Sequence, residues 1–256
     1  MKLKSFFSIL LLITFFNCSK KNEVNEVNKD NIKEKLEEAF IEAEFYDKSK
    51  AILPVLFYIN KNNLVFKDSC LQGKSLNLRV IHGLSINSRE NLLNYANKGL
   101  SYIKNCKDFR IKTSLYNQIG IHYSIEKDHI KAKENFLKSI SIGEENSFGK
   151  LLIDSYYNLA LLYTGTKNWD EVINVSKKGV KIINSTNFKK SRLKFLYLLV
   201  AEAYLNKKEY NLTKQSLIKA LNFHKKSNSE KIKDQDYYKF YSKIYLNYSK
   251  LYNAQK

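Results

Sequence analysis

Proline occurs once and glycine eight times in the 256 residues. Sandwiches and barrels need many tight turns, and turns draw on those two residues, so such folds are excluded. The sequence also lacks the usual signatures of chemistry. It contains no His-Glu-x-x-His, no glycine-rich phosphate loop and no Gly-x-Ser-x-Gly. Its four histidines, His82, His122, His129 and His224, do not fall at metal-ligand spacing. The acidic pairs Glu37-Glu38 and Glu144-Glu145 read as solvated surface. No enzymatic activity, cofactor, metal or small-molecule substrate is therefore expected. The chain is strongly basic, with a formal charge of +19, but it has no arginine-rich block and no nucleic-acid motif. Its lysines are spread along the whole length, which implies a solvated, lysine-rich surface and no nucleic-acid partner.

What is present is apolar residue in quantity, 44% of the chain, arranged for long helices joined by short polar loops. The first residues stand apart. Lys2 and Lys4 precede an apolar run from Phe6 to Phe16. At ~1.5 Å per residue that run reaches about half of a bilayer core, so it reads as an export signal and not a membrane span. Cys18 follows directly. The arrangement resembles a bacterial lipoprotein processing site, which implies diacylglycerol on Cys18, its exposure as the mature N-terminus, and acylation there. Loss of Lys2 and Lys4 with the signal leaves the mature chain at +17. More than one acyl chain would anchor it stably. Residues 18–30 then form a lipidated cysteine and flexible tether, and residues 31–256 the folded part. The expected location is outside the cytoplasm, held by lipid to a bacterial membrane, the outer membrane first, with the periplasmic or surface side open.

The folded part repeats. Tyrosines seven apart occur as Tyr116 and Tyr123, Tyr156 and Tyr163, Tyr197 and Tyr204, and Tyr238 and Tyr245, the first members being 40, 41 and 41 residues apart. Four residues after each first tyrosine stands a small one, Gly120, Ala160, Ala201 or Ser242, preceded by Ile119, Leu159, Val200 or Tyr241. A spacing of four plus three puts both tyrosines and the small residue on one helical face, where a second helix can approach closely. Another ring follows in three copies, His129, Trp169 and Tyr210, near the start of that second helix. Its apolar stripe is Ala132, Phe136 and Ile140, then Val172, Val175, Val180 and Ile183, then Leu217, Ala220 and Leu221. Each repeat is thus a helical hairpin, and stacked hairpins share a continuous core.

On Gly120, Ala160 and Ala201, on Tyr123, Tyr163 and Tyr204, and on Ala132, Val172 and Thr213, the chain resembles the tetratricopeptide repeat family. Its period of 40–41 is longer than the ~34 residues usual there. The resemblance implies an all-α, right-handed superhelical solenoid of antiparallel hairpins, with about five units and the clearest repeats over 113–256. Two weaker copies are read earlier. In one, Gly83 and Ala96 take the places of Gly120 and Ala132, and Asn87-Ser88 caps the helix bearing Leu92 and Ala96. In the other, Ile32, Leu36, Ala39, Phe40 and Ala43 form a stripe, and Pro54 kinks or delays the helix that follows. Cys70 and Cys106 fall at ends that an antiparallel hairpin brings together. A disulfide between them is open on geometry and export, with two separate thiols as the alternative.

Arrays of this family usually bind peptides or protein segments in a concave groove lined by first helices. One step around from the core stripe selects Asn117, Ile121 and Ser124, then Tyr157, Leu161 and Thr164. Next come Leu198, Glu202 and Leu205, and finally Lys239, Lys243 and Leu246. The groove would be apolar in its middle and basic at its C-terminal end. The expected function is a membrane-anchored scaffold that binds another protein. The alternatives are a component of an outer-membrane protein assembly machine, or the sensor partner of a separate signalling protein.

Overall fold

The computed structural model describes residues 27–45, 51–147, 149–184, 192–227 and 235–255. The signal, Cys18 and residues 19–26 lie outside them. The described residues hold eleven α-helices and one 3-10 turn, with no strand among them. In chain order the helices are α1 (Ile32–Phe45), α2 (Ile52–Lys61), α3 (Ser69–Ser85), α4 (Leu92–Tyr102), α5 (Phe109–Ile125) and α6 (His129–Glu145). They continue with α7 (Gly149–Gly165), α8 (Trp169–Asn184), α9 (Leu193–Asn206), α10 (Tyr210–Ser227) and α11 (Gln235–Ala254).

From α3 onward the helices pair as hairpins, α3 with α4, α5 with α6, α7 with α8, and α9 with α10. Successive first helices, α3, α5, α7, α9 and α11, also pack on one another. The second helices α6, α8 and α10 begin at His129, Trp169 and Tyr210, the three rings that mark those starts in the sequence. The turn before each ring is the same structure three times. The carbonyl of the second tyrosine accepts the backbone N–H five residues on, Asp128 to Tyr123 at 2.9 Å, Asn168 to Tyr163 at 2.9 Å and Glu209 to Tyr204 at 2.8 Å. Lys127, Lys167 and Lys208 close these turns in the left-handed region, at φ 62°, 57° and 61°. This is the helix-ending motif that satisfies otherwise orphaned carbonyls. Aspartates open several helices: Asp68, Asp108 and Asp128 each accept a backbone N–H from the first turn that follows.

Within the hairpins the small residues lie where close approach requires them. A Cβ on Gly120 would sit 2.6 Å from the Phe136 ring. A second column of small residues recurs on the second helices, Gly99, Ser139, Gly179 and Ala220, spaced by 40, 40 and 41. A Cβ on Gly179 would meet Leu196 at 3.1 Å and Tyr156 at 3.2 Å, so this column seats the next hairpin's first helix. Apolar burial runs along the chain in successive clusters. One spans α1 to α5 with Phe40, Leu78 and Leu115 at its centre, another α6 to α9, and a third α9 to α11 around Phe240.

Several sequence expectations are corrected. The folded part begins before residue 31. Val27 packs on the core, and Asn28 and Asn31 exchange hydrogen bonds that start α1, because α1 needs its first N–H groups satisfied. The early repeat is also in a different register. First helices α3 and α5 begin 40 residues apart, so Val80 takes the place of Gly120 and Leu92 that of Ala132. Gly83 instead corresponds to Tyr123, and its carbonyl accepts the Ser88 N–H. Ala96 corresponds to Phe136, so the register sets the larger residue on α3 and the smaller on α4, and both are buried. Asn87 and Ser88 do not cap α4; they end α3, with Asn87 at φ 55°. Pro54 is the third residue of α2, inside the first turn, where its missing N–H has no helical partner to lose. The fourth tyrosine pair is not core. Tyr238 and Tyr245 are 59% and 68% exposed, and α11 buries Phe240, Ile244 and Leu251 instead. No described helix follows α11 to cover the tyrosine face.

Candidate partner-binding face

The face in question is one stripe of each first helix, at helical spacing of four and three: Asn117, Ile121 and Ser124 on α5 and their counterparts on α7, α9 and α11. The same register extends it back to Asn77, Ile81 and Leu84 on α3. The structure treats its two ends differently.

At the N-terminal end α1 lies against it. This helix packs on α3, reaches α5 through side chains, and touches α7. The Phe40 ring is fully buried, with the Lys74 ammonium 5.5 Å and the Arg110 guanidinium 5.6 Å from its centre. Glu37, read from sequence as solvated, accepts hydrogen bonds from Lys74 and, at 3.2 Å, from Arg110. Asp108 completes the cluster, 3.0 Å from Lys74 and bound to Arg110 by two contacts of 2.7 and 2.6 Å. Burial acts first on Asp108 and would raise its pKa. The hydrogen bonds from Arg110 and then Lys74 outweigh it and hold the carboxyl below the ordinary carboxylate range. Beneath α1 the face turns inward and pairs with itself. The Asn77 amide donates to Ser114 at 2.8 Å, and Asn117 accepts from the Asn158 amide at 3.0 Å. Asn117 is only 7% exposed, so this candidate groove residue is a packing residue.

The disulfide stands beside this cluster. Cys70 and Cys106 are bonded, with Cα atoms 5.2 Å apart, and link the first turn of α3 to the end of the 3-10 turn Ile103–Asn105. The Asp108 N–H donates to Cys106 Sγ at 3.3 Å, which places the bridge next to the carboxylate that caps α5.

At the C-terminal end the face is open. Between α7, α9 and α11 lies a cleft of about 300 Å³. Seven of the sequence-selected residues line it: Tyr157, Leu161, Thr164, Leu198, Glu202, Lys243 and Leu246. Leu161 and Leu246 present apolar surface, Leu246 being 54% exposed. Ile121, Ser124, Leu205 and Lys239 do not line it. Lysines 243 and 250 reach it without an ion pair among the described residues, and Glu202 is the one acid among the residues that line it. Phe195, Leu199, Asn247 and Lys250 also line the cleft and were missed in the sequence. Their signal was present: Phe195 is one turn before Leu198, and Lys250 lies seven after Lys243.

A larger cleft of about 450 Å³ lies elsewhere, between α2, α3 and α4, with Leu53, Phe57 and Ile86 exposed around it. Two short helices border it: α2 has only 10 residues and α4 only 11, where α6, α8 and α10 have 16 to 18.

Of the other singled-out groups, Glu144 accepts the Tyr156 hydroxyl, and burial, then this carboxylate, push the tyrosine pKa up. His122 is buried, and burial pushes its pKa down. No group of three or more His, Cys, Asp or Glu able to hold a metal occurs among the described residues. No helix among them is long and apolar enough to cross a membrane.

No family model matches the chain, and no curated protein matches it. Among solved structures it is similar to the crystal structure of BtubC (BKLC) from P. vanneervenii, with a TM-score of 0.60 and 11% identity, over 80% of this chain and 83% of that one. A likeness at that identity concerns the fold alone.

Proposed function

We propose that this chain is a tetratricopeptide-type solenoid, exported and anchored to a bacterial membrane by lipid on Cys18, that binds a segment of another protein along its first-helix face. The observation that carries this reading is the open cleft between α7, α9 and α11, lined by seven residues selected for that face. Apolar groups with a few polar ones at the rim suit a protein side chain. At about 300 Å³ the cleft stands at the low end of small-molecule sites. The hairpin register and the packing of successive first helices support the solenoid, and the run before Cys18 supports the anchor.

The test is a photo-crosslinking amino acid at Leu161 or Leu246 in the native cell, with one at the exposed Ile130 on α6 as control and Cys18→Ala beside it. A protein captured from Leu161 and Leu246 but not from Ile130 is the expected result, with Cys18→Ala released from membranes. Equal capture from all three positions, or none, would count against the face. Membrane sedimentation of Cys18→Ala would remove the anchor.

A further inference from the structure

Helix α1 differs in charge from the rest of the molecule. Ile32–Phe45 carries five glutamates and two lysines, a net −3, in a chain of +19. This acidic helix is the one that lies on the N-terminal end of the first-helix face. It engages through an aromatic ring, Phe40, and a carboxylate three residues before it, Glu37, against Lys74 and Arg110. The open end of the same face again sets cations beside an apolar wall, at other positions of the register: Phe195 stands where Lys74 does, and Lys243 and Lys250 line the cleft with no ion pair among the described residues.

From this internal template we infer that the open cleft takes an acidic amphipathic helix of a partner protein, one that presents an apolar or aromatic side chain one turn from a carboxylate. The apolar side chain enters between Leu161, Leu198 and Leu246, and the carboxylate faces Lys243 and Lys250. Glu202 opposes such a ligand and sets a limit on how acidic it can be at that wall. Complementary charge at a partly exposed rim speeds encounter and selects the partner, and it weakens with salt. This inference rests on the proposed protein-binding role and names its ligand class.

The experiment uses the full chain in detergent and, as probe, a fluorescent synthetic peptide of residues 31–45, with a second peptide in which all five glutamates are glutamine. Fluorescence anisotropy should show saturable binding of the acidic peptide. The double variant Lys243→Glu/Lys250→Glu should weaken it by about tenfold or more. Glu202→Gln should tighten it, and the glutamine peptide should bind as weakly as the acidic one does to the double variant. Circular dichroism confirms that the surface variants are folded. Equal binding of the two peptides, or binding unaffected by the double variant, as expected if the peptide merely exchanged with the chain's own α1, overturns the inference. Self-association of the chain that disappears in the double variant would assign the cleft to a second copy and also overturn it. Crosslinks from Leu161 in cells without peptide binding would leave the protein-binding role standing and remove the acidic helix. Absence of both would remove both.

Discussion

The two ends of the first-helix face are built on one register but meet different surroundings. At α3 and α5, α1 covers the face, and polar side chains there have turned into paired packing groups: Asn77 with Ser114, Asn117 with Asn158, Lys74 with Glu37 and Asp108. At α7 and α9 the position of Asn77 and Asn117 carries Tyr157 and Leu198, which line an open cleft. Burial of a charged group is tolerated only where partners satisfy it, so Lys74 depends on α1 and Asp108. Lys243 has no such partner among the described residues and stays at the rim of the cleft. What covers a surface thus determines whether its polar groups are structural or available.

The comparison breaks most sharply at Phe40. Its ring is fully buried, so Phe40→Ala should cost about 3–5 kcal/mol, whereas Leu246→Ala at the exposed rim should change stability by no more than about 0.5 kcal/mol. Urea unfolding followed by circular dichroism measures both, and similar losses would show that the two ends are equally packed. The disulfide comes next. A bridge across a sequence separation of 36 contributes about 3–4 kcal/mol in the chain-entropy model. Reduction should therefore raise hydrogen exchange in α3 and α4 and leave α9 to α11 unchanged. Uniform loss of protection would mean that the ends unfold as one unit.

A smaller effect concerns pH. The Asp108 pKa is depressed in the folded state, so its contribution is complete above the unfolded value of about 3.9 and is lost as pH falls through the folded value. Denaturant midpoints should fall below pH 4. In Asp108→Asn that slope should flatten, while stability at pH 7 drops because Lys74 and Arg110 lose a partner. An unchanged slope would show that other carboxylates dominate. The smallest effect tests the turns shared by both halves. Lys167 holds a left-handed conformation at φ 57°, and Lys167→Gly should relieve that strain, for a net gain of about 0.5–1 kcal/mol after glycine's greater unfolded-state entropy. A loss there would mean that the lysine side chain is itself engaged.

Much of the hairpin architecture was legible because it is local. Rings at His129, Trp169 and Tyr210 start helices, and the small residues Gly120, Ala160 and Ala201, four after the first three tyrosines, stand in the core. The early copies were harder to read. Val80 and Ala96 hold the places of Gly120 and Phe136, large for small and small for large, and a search for a small residue at one place misses such an exchange. Seven of the twelve candidate face residues line one cleft, because a helical stripe can be read from spacing. Asn117 was misjudged because spacing does not show its pairing with Asn158, and Tyr238 and Tyr245 because it does not show that α11 turns Phe240 and Ile244 inward instead.

The sequence alone determined that this chain is helical, that its later helices come in pairs every 40 to 41 residues, and which stripe of α5 to α10 faces its partner. Those features follow from a 3.6-residue periodicity and from turn chemistry acting over a few residues. Only the tertiary structure decided which end of the repeated face is closed. An acidic helix and a basic wall 37 to 73 residues apart in the chain had to meet before Glu37, Lys74 and Arg110 became a half-buried cluster. Charge complementarity over that separation is set by packing in space, and local sequence does not encode it.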